Sequence, residues 1–458
     1  MLTEEGRQLT KTVAEGTVLY TVNNILQKGV GFVSALLLAN FLSVYAFGLL
    51  KLVQSVLSMA MALFFPGINS VIIAEASRAR GSGELGRFRS LLSIYTRAEL
   101  GIGALLTVIF LLAVPIVGRF MGAGWSSILL AASPLIFLGA LRMVMSVFFQ
   151  AHLMFKEFAV LKMIESILNL IAAAAAIFLL RGSIQSLMLC YSAAQAGSLA
   201  LFLPHFVKIN RGLRQVAPDA VALAPLIKEQ GIWSIMNDYL SSLANNGRLW
   251  AMAAFLNVEA VALYSLADAL INHTVSLFPL RETMLPVLAG EVENRDRVRR
   301  VYLRVIKYHL AAFSALILAG LFLFPPILHF FFSKYDRAIP LYQLMLLILI
   351  AASFASAQNA LLAALRRQKQ LFFATCVKAA IVVPLLALFT RLLGVIGTAI
   401  ETIVSAVIFT ILRGRILHRA APYLKFRLVE LFRFDEFDRE IFIGAWRRLK
   451  KPIPHVRH

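Results

Sequence analysis

The sequence predicts an all-α polytopic membrane protein with about twelve transmembrane helices arranged in two six-helix bundles. Of the 458 residues, 60% are hydrophobic and only 15% are charged, whereas soluble domains are about half apolar and about a quarter charged. Apolar blocks of about 20 residues, the length needed to cross a bilayer core, recur along the whole chain. The two halves of the chain also resemble each other.

Hydropathy windows place the helices in chain order, six on each side of a polar linker. The N-terminal bundle occupies 1–206, a cytoplasmic linker 207–230, the C-terminal bundle 231–420 and a basic tail 421–458. The predicted spans are 15–42, 48–75, 92–118, 127–150, 158–180, 184–206, 231–256, 261–288, 308–332, 339–363, 371–390 and 394–418.

Basic residues orient the predicted helices. Of the 45 Lys and Arg residues, 32 fall in the N-terminal segment, the turns that follow even-numbered predicted helices, the linker and the tail. All of these segments lie on one side of the predicted bundle. The other side carries Arg119, Arg181, Lys334, Arg337 and Arg391. Because basic loops stay in the cytoplasm, both termini are predicted to be cytoplasmic.

An internal repeat supports the two bundles. The stretch "NFLSVYAFGLLKL" (40–52) aligns with "AFLNVEAVALYSL" (254–266) at a shift of 214 residues, and the same shift places Asn23 on Asn237. Since six helices are an even number, both copies enter the membrane from the same side. The predicted repeats are therefore parallel, about an axis along the membrane normal.

Polar residues inside the predicted spans mark candidate sites, because ionisable groups at membrane depth are costly unless they face a cavity or a partner. They form helical stripes on the first, second, seventh and eighth helices, which are equivalent in the repeat. A central cavity between the bundles is predicted, with Asn24, Lys28, Asn245 and Arg248 as substrate contacts, Gln54 and Asn272 as further lining residues, and Asp238 and Asp268 as candidates for ion coupling.

Other interpretations of these polar residues remain open. Asn, Gln and Ser side chains also hold membrane helices together through interhelical hydrogen bonds. Asp238 could neutralise Lys28 as a structural ion pair, and Arg142 lies close enough to a helix end to snorkel to the interface. Lys378 and Glu401 fit none of these interpretations.

Several classes of chemistry lack their motifs. The chain contains no G-x-x-x-x-G-K-[ST] and no H-E-x-x-H, and its two cysteines lie in apolar spans. No ATP site, metal site or other cofactor is therefore predicted. The formal charge of +21 is assigned to cytoplasmic loops and not to nucleic-acid binding. The tail, with Trp446, is predicted to be an amphipathic helix on the inner leaflet.

The stretch "LLLANFLSVYAFGLLKLVQSVLSMA" resembles the first-loop signature of the polysaccharide transporters, the O-antigen-type (Wzx-like) flippases. Leu42, Ser43, Phe47 and Gly48 stand at the matching places, while Val44 and Tyr45 replace the usual Pro and Glu. This family belongs to the multidrug/oligosaccharidyl-lipid/polysaccharide (MOP) exporter superfamily. The resemblance implies a MATE-like fold in the bacterial inner membrane.

The resemblance further implies alternating access by two lobes, which carry an undecaprenyl-pyrophosphate-linked oligosaccharide from the inner to the outer leaflet. A proton or sodium ion would drive the cycle, and glycosyltransferases and a polymerase would act in the same pathway. Lys28 and Arg248 would then offset the pyrophosphate charge. The alternatives are a multidrug or cation antiporter of the same superfamily, a membrane-embedded polysaccharide polymerase or ligase, and a membrane scaffold.

Overall fold

The computed structural model describes residues 23, 25–63, 66–180, 182–213, 215–219, 232–275, 295–365 and 367–432. These residues form helices joined by short turns. In chain order the helices are α1 (Ile25–Phe41), α2 (Val44–Met61), α3 (Pro66–Gly81), α4 (Leu85–Met121), α5 (Ala123–Ala132), α6 (Pro134–Ala151), α7 (Phe155–Phe178), α8 (Ile184–Leu213), α9 (Ile232–Phe255), α10 (Val258–Val275), α11 (Arg295–Phe322), α12 (Phe324–Phe331), α13 (Ile339–Met345), α14 (Ile348–Ala364) and α15 (Gln368–Ala420).

Seven of the described helices are long and apolar enough to cross a membrane. An eighth span results if 333–345 and 348–362, which meet at a bend of 53°, are counted as one broken helix. The described residues therefore bear out a polytopic helical protein. The count of twelve spans stays a prediction, because 1–22 and 276–294, where parts of two predicted helices fall, lie outside the described residues.

The longest helix, α15, contains the break that the sequence predicts between 390 and 394. A straight helix of 53 residues would be about 80 Å long, more than twice the hydrocarbon core of about 30 Å. The chain reverses at Gly394, whose φ of 61° and ψ of −139° lie outside the helical region. Thr390 and Thr398, eight residues apart, share a hydrogen bond of 3.0 Å across this reversal. The element is a helical hairpin.

Two predicted boundaries are wrong. The predicted span 127–150 is confirmed, because Gly124–Ala151 is one helix long enough to cross a membrane, in which α5 and α6 meet at a local turn at Ser133 with helical backbone angles. The predicted span 308–332 is divided, since the membrane-length helix ends at Phe322 and Pro325 lies in the first turn of α12, where it has no N–H to continue the helix. The α8 helix extends to Leu213, into the predicted linker, because hydropathy measures membrane depth and not the end of a helix.

The predicted amphipathic tail helix is wrong for the described part of the tail. Residues 422–432 form two short 3-10 helices, Pro422–Leu424 and Leu428–Phe432. Leu424 and Leu431 are buried in a cluster with Val298 and Tyr302 of α11. Residues 433–458, with Trp446, lie outside the described residues.

The repeat is visible in how two helices begin. Ser43 caps α2 by accepting a hydrogen bond from the Ala46 N–H at 3.1 Å. Asn257 caps α10 in the same way, accepting from the Ala260 N–H at 2.7 Å. The two caps, Ser43 and Asn257, stand at the predicted shift of 214. Short polar side chains at this position satisfy backbone donors that would otherwise lack partners.

The hydrophobic core is continuous at one end of the molecule and divided at the other. We call the end with the Arg-rich turn after α3 and the Arg-rich start of α11 the basic end, 23–213 the N-terminal half and 232–420 the C-terminal half. At the opposite end a single cluster joins both halves, with Leu50, Leu57, Val261 and Leu341 among its members. At the basic end each half has its own cluster, around Phe88 in one and Tyr302 in the other. The division between the two bundles at 207–230 stays a prediction.

Candidate functional site

A polar cavity of about 630 Å³ lies between the halves, on the side where the core is divided. Helices α2, α6, α7 and α8 of the N-terminal half form most of its wall, and α9 of the C-terminal half faces them. Its polar lining is made of Gln54, Ser58, Arg142, Glu165, Asn169, Tyr191, Gln195, Asp238 and Ser242. Amides and hydroxyls from four helices therefore converge on one space, which suits a ligand rich in hydroxyl groups.

The charges of this cavity are one guanidinium and two carboxylates. Arg142 Nη1 lies 3.5 Å from Glu165 Oε1, and both side chains are partly exposed. Asp238, on α9, accepts a hydrogen bond from Asn237 Nδ2 at 3.3 Å. Asn237, the repeat partner of Asn23, in turn accepts from Thr375 Oγ1 at 2.6 Å. The C-terminal half thus holds one carboxylate opposite an ion pair of the N-terminal half.

The predicted cation Arg248 does not line this cavity. Its side chain is 7% exposed and donates from Nε to Glu401 Oε2 at 2.8 Å and from Nη2 to Glu401 Oε1 at 3.3 Å. Glu401, which the sequence analysis left unassigned, is fully buried on the second arm of the α15 hairpin. Because both charges are satisfied within the C-terminal half, the sequence-based expectation of a cation facing open space does not hold in this conformation.

Further charges continue from this ion pair towards the N-terminal half. The Asp268 carboxylate, on α10, interacts electrostatically with Arg248 on one side and with Lys51 of α2 on the other. Asn272 donates to Asp268 Oδ2 at 2.9 Å, and Lys51 donates to Gln54 Oε1 at 3.2 Å. Positive and negative groups therefore alternate across the boundary between the halves.

The remaining predicted residues are spread around this arrangement. Lys28 is half-buried on α1 and interacts electrostatically with His273 of α10; Gly31, one turn later, faces the same ring. Asn245 is exposed, whereas its neighbour Asn246 contacts Ser58 across the halves, with Nδ2 3.3 Å from Oγ. Asn24 lies outside the described residues. Of the eight predicted site residues, Gln54 and Asp238 line the cavity.

The sequence analysis missed half of the cavity wall. Glu165, Asn169 and Gln195 lie on α7 and α8. The sequence prediction placed the cavity on other helices, the first, second, seventh and eighth, which are equivalent in the repeat. A usable signal was present. Glu165 is an acidic residue inside an apolar block, and Arg142, which was explained by snorkelling, is its partner.

At the opposite end the halves are joined by close contacts. Gly48 of α2 packs so closely on α10 that an added Cβ would collide with the Val258 carbonyl oxygen. Trp250 Nε1 donates to Ser55 Oγ at 2.8 Å, and the Phe47 and Tyr335 rings stand edge to face at 5.8 Å. Lys334 donates to the Asn40 carbonyl oxygen at 2.5 Å. We call these contacts the closed gate.

Within the described residues, no group of three or more His, Cys, Asp or Glu side chains is arranged to hold a metal ion. The acidic residues of the centre, Glu165, Asp238, Asp268 and Glu401, are distributed over four different helices.

Comparison with known proteins gives one family and a group of related folds. A sequence model of the family "polysaccharide biosynthesis protein" matches residues 13–289, and no curated protein sequence matches the chain significantly.

Three solved structures illustrate the similarity of the fold. An inward-facing multidrug-resistance MATE transporter of the MOP superfamily is 15% identical over 86% of this chain and 95% of its own, with a TM-score of 0.71. The lipid II flippase MurJ, in an inward closed conformation, is 13% identical over 96% and 94%, with a TM-score of 0.69. A MOP transporter from Pyrococcus furiosus, described as having a binding pocket of reverse polarity, is 14% identical over 90% and 96%, with a TM-score of 0.64.

Proposed function

The chain belongs to the polysaccharide biosynthesis protein family, and from that membership we propose that it is a flippase for a lipid-linked oligosaccharide. It is a multi-pass membrane protein with the fold of the MOP-superfamily transporters. The proposed substrate is an undecaprenyl-pyrophosphate-linked oligosaccharide, which moves from the inner to the outer leaflet of the bacterial inner membrane. Glycosyltransferases would supply this substrate, and a polymerase would consume it.

The observation that carries the proposal is the polar cavity between two halves whose shared buried core, among the described residues, lies at the far end. A transporter that works by alternating access needs a site between two bodies, open to one side and closed to the other. The divided core at the basic end and the continuous core at the closed gate have this form. If the basic end is cytoplasmic, as the positive-inside rule predicts, the conformation is ready to receive a ligand from the inner leaflet.

The sugar and the pyrophosphate need different surroundings. Asn169, Gln195 and Ser242 supply amide and hydroxyl groups in the cavity, and such groups exchange hydrogen bonds with sugar hydroxyls. A pyrophosphate needs fixed cations once it leaves the headgroup layer, and we propose Lys28 and Arg248 for this role, with Asn24 and Asn245 as the further substrate contacts predicted from the sequence. Because Arg248 is paired with Glu401 here, its part requires that ion pair to open during the cycle.

Asp238 and Asp268 are the proposed coupling residues, for a proton or a sodium ion. Asp238 lies in the cavity, and Asp268 lies between the Lys51 and Arg248 cations. A carboxylate that gains or loses a cation changes the charge balance between the halves. Transport that is unaffected by Asp238→Asn and Asp268→Asn would remove both residues from the coupling mechanism.

The decisive experiment measures lipid movement in proteoliposomes containing a fluorescent undecaprenyl-pyrophosphate sugar. The wild type is expected to move the lipid between leaflets, and Lys28→Glu is expected to abolish movement without changing the amount of folded protein. Arg97→Gln, which removes a charge from an exposed side chain outside the cavity, is the matched control. A Lys28→Glu variant with full activity would refute the role of Lys28, and a wild type that moves no lipid would refute the flippase.

The second candidate is a cation antiporter of the same superfamily, and the cavity charge favours it. Two carboxylates and one guanidinium line the described cavity, which suits a cationic ligand better than an anionic one. Ethidium extrusion from the same proteoliposomes tests this function. Extrusion that disappears in Glu165→Gln, without any lipid movement in the wild type, would establish the antiporter in place of the flippase.

A further inference from the structure

A second cavity of about 640 Å³, lined by basic side chains, lies outside the central site. It is a groove between α11 and the chain segment that follows α15. Its lining consists of Arg300, Leu303, Arg304, Lys307, Arg427, Val429 and Glu430. Four cations and one carboxylate give this lining a formal net charge of +3. We propose that this groove, which we call the basic groove, binds the phosphate of an anionic phospholipid.

The α11 wall of the groove is one face of a helix. Arg300, Leu303, Arg304 and Lys307 are spaced by three and four residues, so their side chains project in the same direction. The cations are therefore held side by side by the helix.

The other wall is fixed by packing. Tyr302 meets the Phe426 ring at a centroid distance of 6.1 Å, and the Arg295 guanidinium lies 5.9 Å from the centre of the Tyr423 ring. Leu424 and Leu431 are buried in the core of the C-terminal half. The segment 422–432 is thus docked on the bundle, and Arg427 faces the α11 cations from a defined position.

The single carboxylate of the groove is already occupied. Glu430 accepts a hydrogen bond from the Arg427 N–H at 2.9 Å and another from Arg299 Nη2 at 2.6 Å. The backbone donor of Arg427, followed by the Arg299 side chain, lowers the pKa of Glu430 below its ordinary value. Because Arg299 does not line the groove, it neutralises the carboxylate from outside and the lining remains strongly positive.

The depth of the groove matches the lipid headgroup layer. From Leu310 to the end of α11 at Phe322 the chain has no ionisable residue, and apolar sequence continues in α12 as far as Leu328. Lys307 and Arg304 precede Leu310 by about 4 and 9 Å along the helix axis. The phosphates of bilayer lipids lie in the headgroup layer, which extends about 5 to 8 Å beyond the hydrocarbon core on each side.

The rim of the groove supplies apolar surface for acyl chains. Val429 and Phe432 are 69% and 70% exposed, although both are large hydrophobic residues. Cations beside exposed apolar side chains match a molecule that has an anionic head and a hydrocarbon tail. The cytoplasmic leaflet, which faces the basic end if the predicted orientation is right, carries the anionic lipids.

The test counts bound lipids by native mass spectrometry on the full chain in a non-ionic detergent. Phosphatidylglycerol and phosphatidylcholine with identical acyl chains are titrated against the wild type and two variants. Arg300→Gln/Arg304→Gln removes two charges from the groove. Lys208→Gln/Arg211→Gln removes two exposed charges from the end of α8, outside the groove.

We expect the wild type to bind one phosphatidylglycerol more tightly than phosphatidylcholine. The groove variant should weaken phosphatidylglycerol binding roughly 10- to 30-fold, since each cation near a membrane surface contributes about 1 kcal/mol, and the α8 variant should not. Equal weakening in both variants, or equal binding of both lipids to the wild type, would overturn the proposal.

Two further titrations distinguish the sources of a phosphate. Inorganic pyrophosphate or a short-chain prenyl pyrophosphate is added to the complex with phosphatidylglycerol. Retention of the phospholipid is expected. Displacement by inorganic pyrophosphate would assign the groove to a soluble anion, and displacement by the prenyl compound alone would assign it to the transported lipid, so either result would overturn the phospholipid site.

Discussion

Arg248 and Glu401 are buried together in the C-terminal half, so the stability of each side chain depends on the other. Their two hydrogen bonds, of 2.8 and 3.3 Å, satisfy a cation and an anion that have almost no access to solvent. Removing one partner from such a pair leaves an uncompensated charge in a low-dielectric region. Replacing both partners with apolar residues leaves no such charge.

We therefore expect Arg248→Met to lower the free energy of unfolding by about 3–5 kcal/mol. Arg248→Met/Glu401→Leu should recover most of that loss. Thermal unfolding of the purified protein, followed by intrinsic tryptophan fluorescence, measures both effects. If Arg248→Met were as stable as the wild type, the ion pair would not be buried in the membrane. The double variant would then have no lost stability to recover.

Gly48 is a second residue whose role follows from one contact. An added methyl group would collide with the Val258 carbonyl oxygen of α10, so Gly48→Ala should push α2 and α10 apart at the closed gate. Forcing a methylene group into a tightly packed site costs about 1–3 kcal/mol. We expect the distance between spin labels placed on the two halves at this end to increase.

Gly101→Ala is the matched control for Gly48→Ala. Gly101 lies in the middle of α4 with no atom within 4 Å of an added Cβ, and alanine is the better helix former by about 1 kcal/mol. The control should leave the distances between labels unchanged. If both variants gave the wild-type distances, the close contact at Gly48 would not hold the gate.

Sequence reasoning at the residue scale identified polar residues correctly but not their partners. Lys28, Arg248, Asp238 and Asp268 are all costly at membrane depth, and this cost can be read from one residue at a time. The pairing of Arg248 with Glu401 joins residues 153 positions apart, and the helical periodicity of either segment does not contain that information. The wall formed by Glu165 and Asn169 was missed although the periodicity contained it. Lys162, Glu165, Ser166 and Asn169 of α7 have the same spacing as Lys51, Gln54, Ser55 and Ser58 of α2.

Helix α15 shows at the scale of an element how one glycine shapes the C-terminal half. Its two arms turn back on each other at Gly394, where φ is 61°. The second arm brings Glu401 to Arg248, and Thr402 Oγ1 lies 2.9 Å from Tyr264 Oη of α10. Without the reversal these contacts to α9 and α10 could not form, because the second arm would leave the membrane.

Gly394→Ala is expected to destabilise the C-terminal half by about 1–3 kcal/mol, because a residue with a Cβ is strained in this backbone conformation. Gly247→Ala, in α9, has no atom within 4 Å of the added Cβ and an ordinary helical φ, so it should cause no loss. Tm values of the two variants, measured side by side, test the prediction. Equal Tm values would mean that the turn accepts a side chain.

The elements themselves were predictable where composition changes sharply. The spans predicted to start at 48 and 261 begin four and three residues earlier in the structure, at Val44 and Val258, because Ser43 and Asn257 cap α2 and α10 there. The break near Gly394 was predicted as the boundary between two spans. The end of the membrane-length part of α11 at Phe322 was missed because the hydropathy on both sides is equally high, although Pro325 marks it.

At the scale of the whole molecule, the closed gate has to open for the cavity to reach the other leaflet. Lys334 of the C-terminal half and Asn40 of the N-terminal half meet at this gate. Cysteines at both positions, in a chain with Cys190→Ala and Cys376→Ala, can be joined by a bis-methanethiosulfonate reagent. We expect the cross-link to stop transport and dithiothreitol to restore it.

The control cross-link joins Arg80→Cys to His152→Cys. Arg80 donates to the His152 carbonyl oxygen, and both residues lie in the N-terminal half at the basic end. This cross-link fixes one half internally and should leave transport intact. Transport that continued with the gate cross-linked would contradict a cycle in which the halves separate there.

The overall architecture could be predicted because a membrane restricts the possible folds to helical bundles of known length. The separate clusters of the two halves at the basic end could not, because hydropathy indicates which helices are buried in lipid and carries no information on how the two halves contact each other.

The paired caps Ser43 and Asn257 also have a meaning for ancestry. Two helices started by equivalent side chains 214 residues apart are what the duplication and fusion of a shorter gene would leave behind. Two copies inserted in the same orientation would have associated as a homodimer with a twofold axis along the membrane normal, through an isologous contact. The contact between Gly48 and Val258 would then descend from that dimer interface, in which the ancestral counterparts of both residues occurred twice.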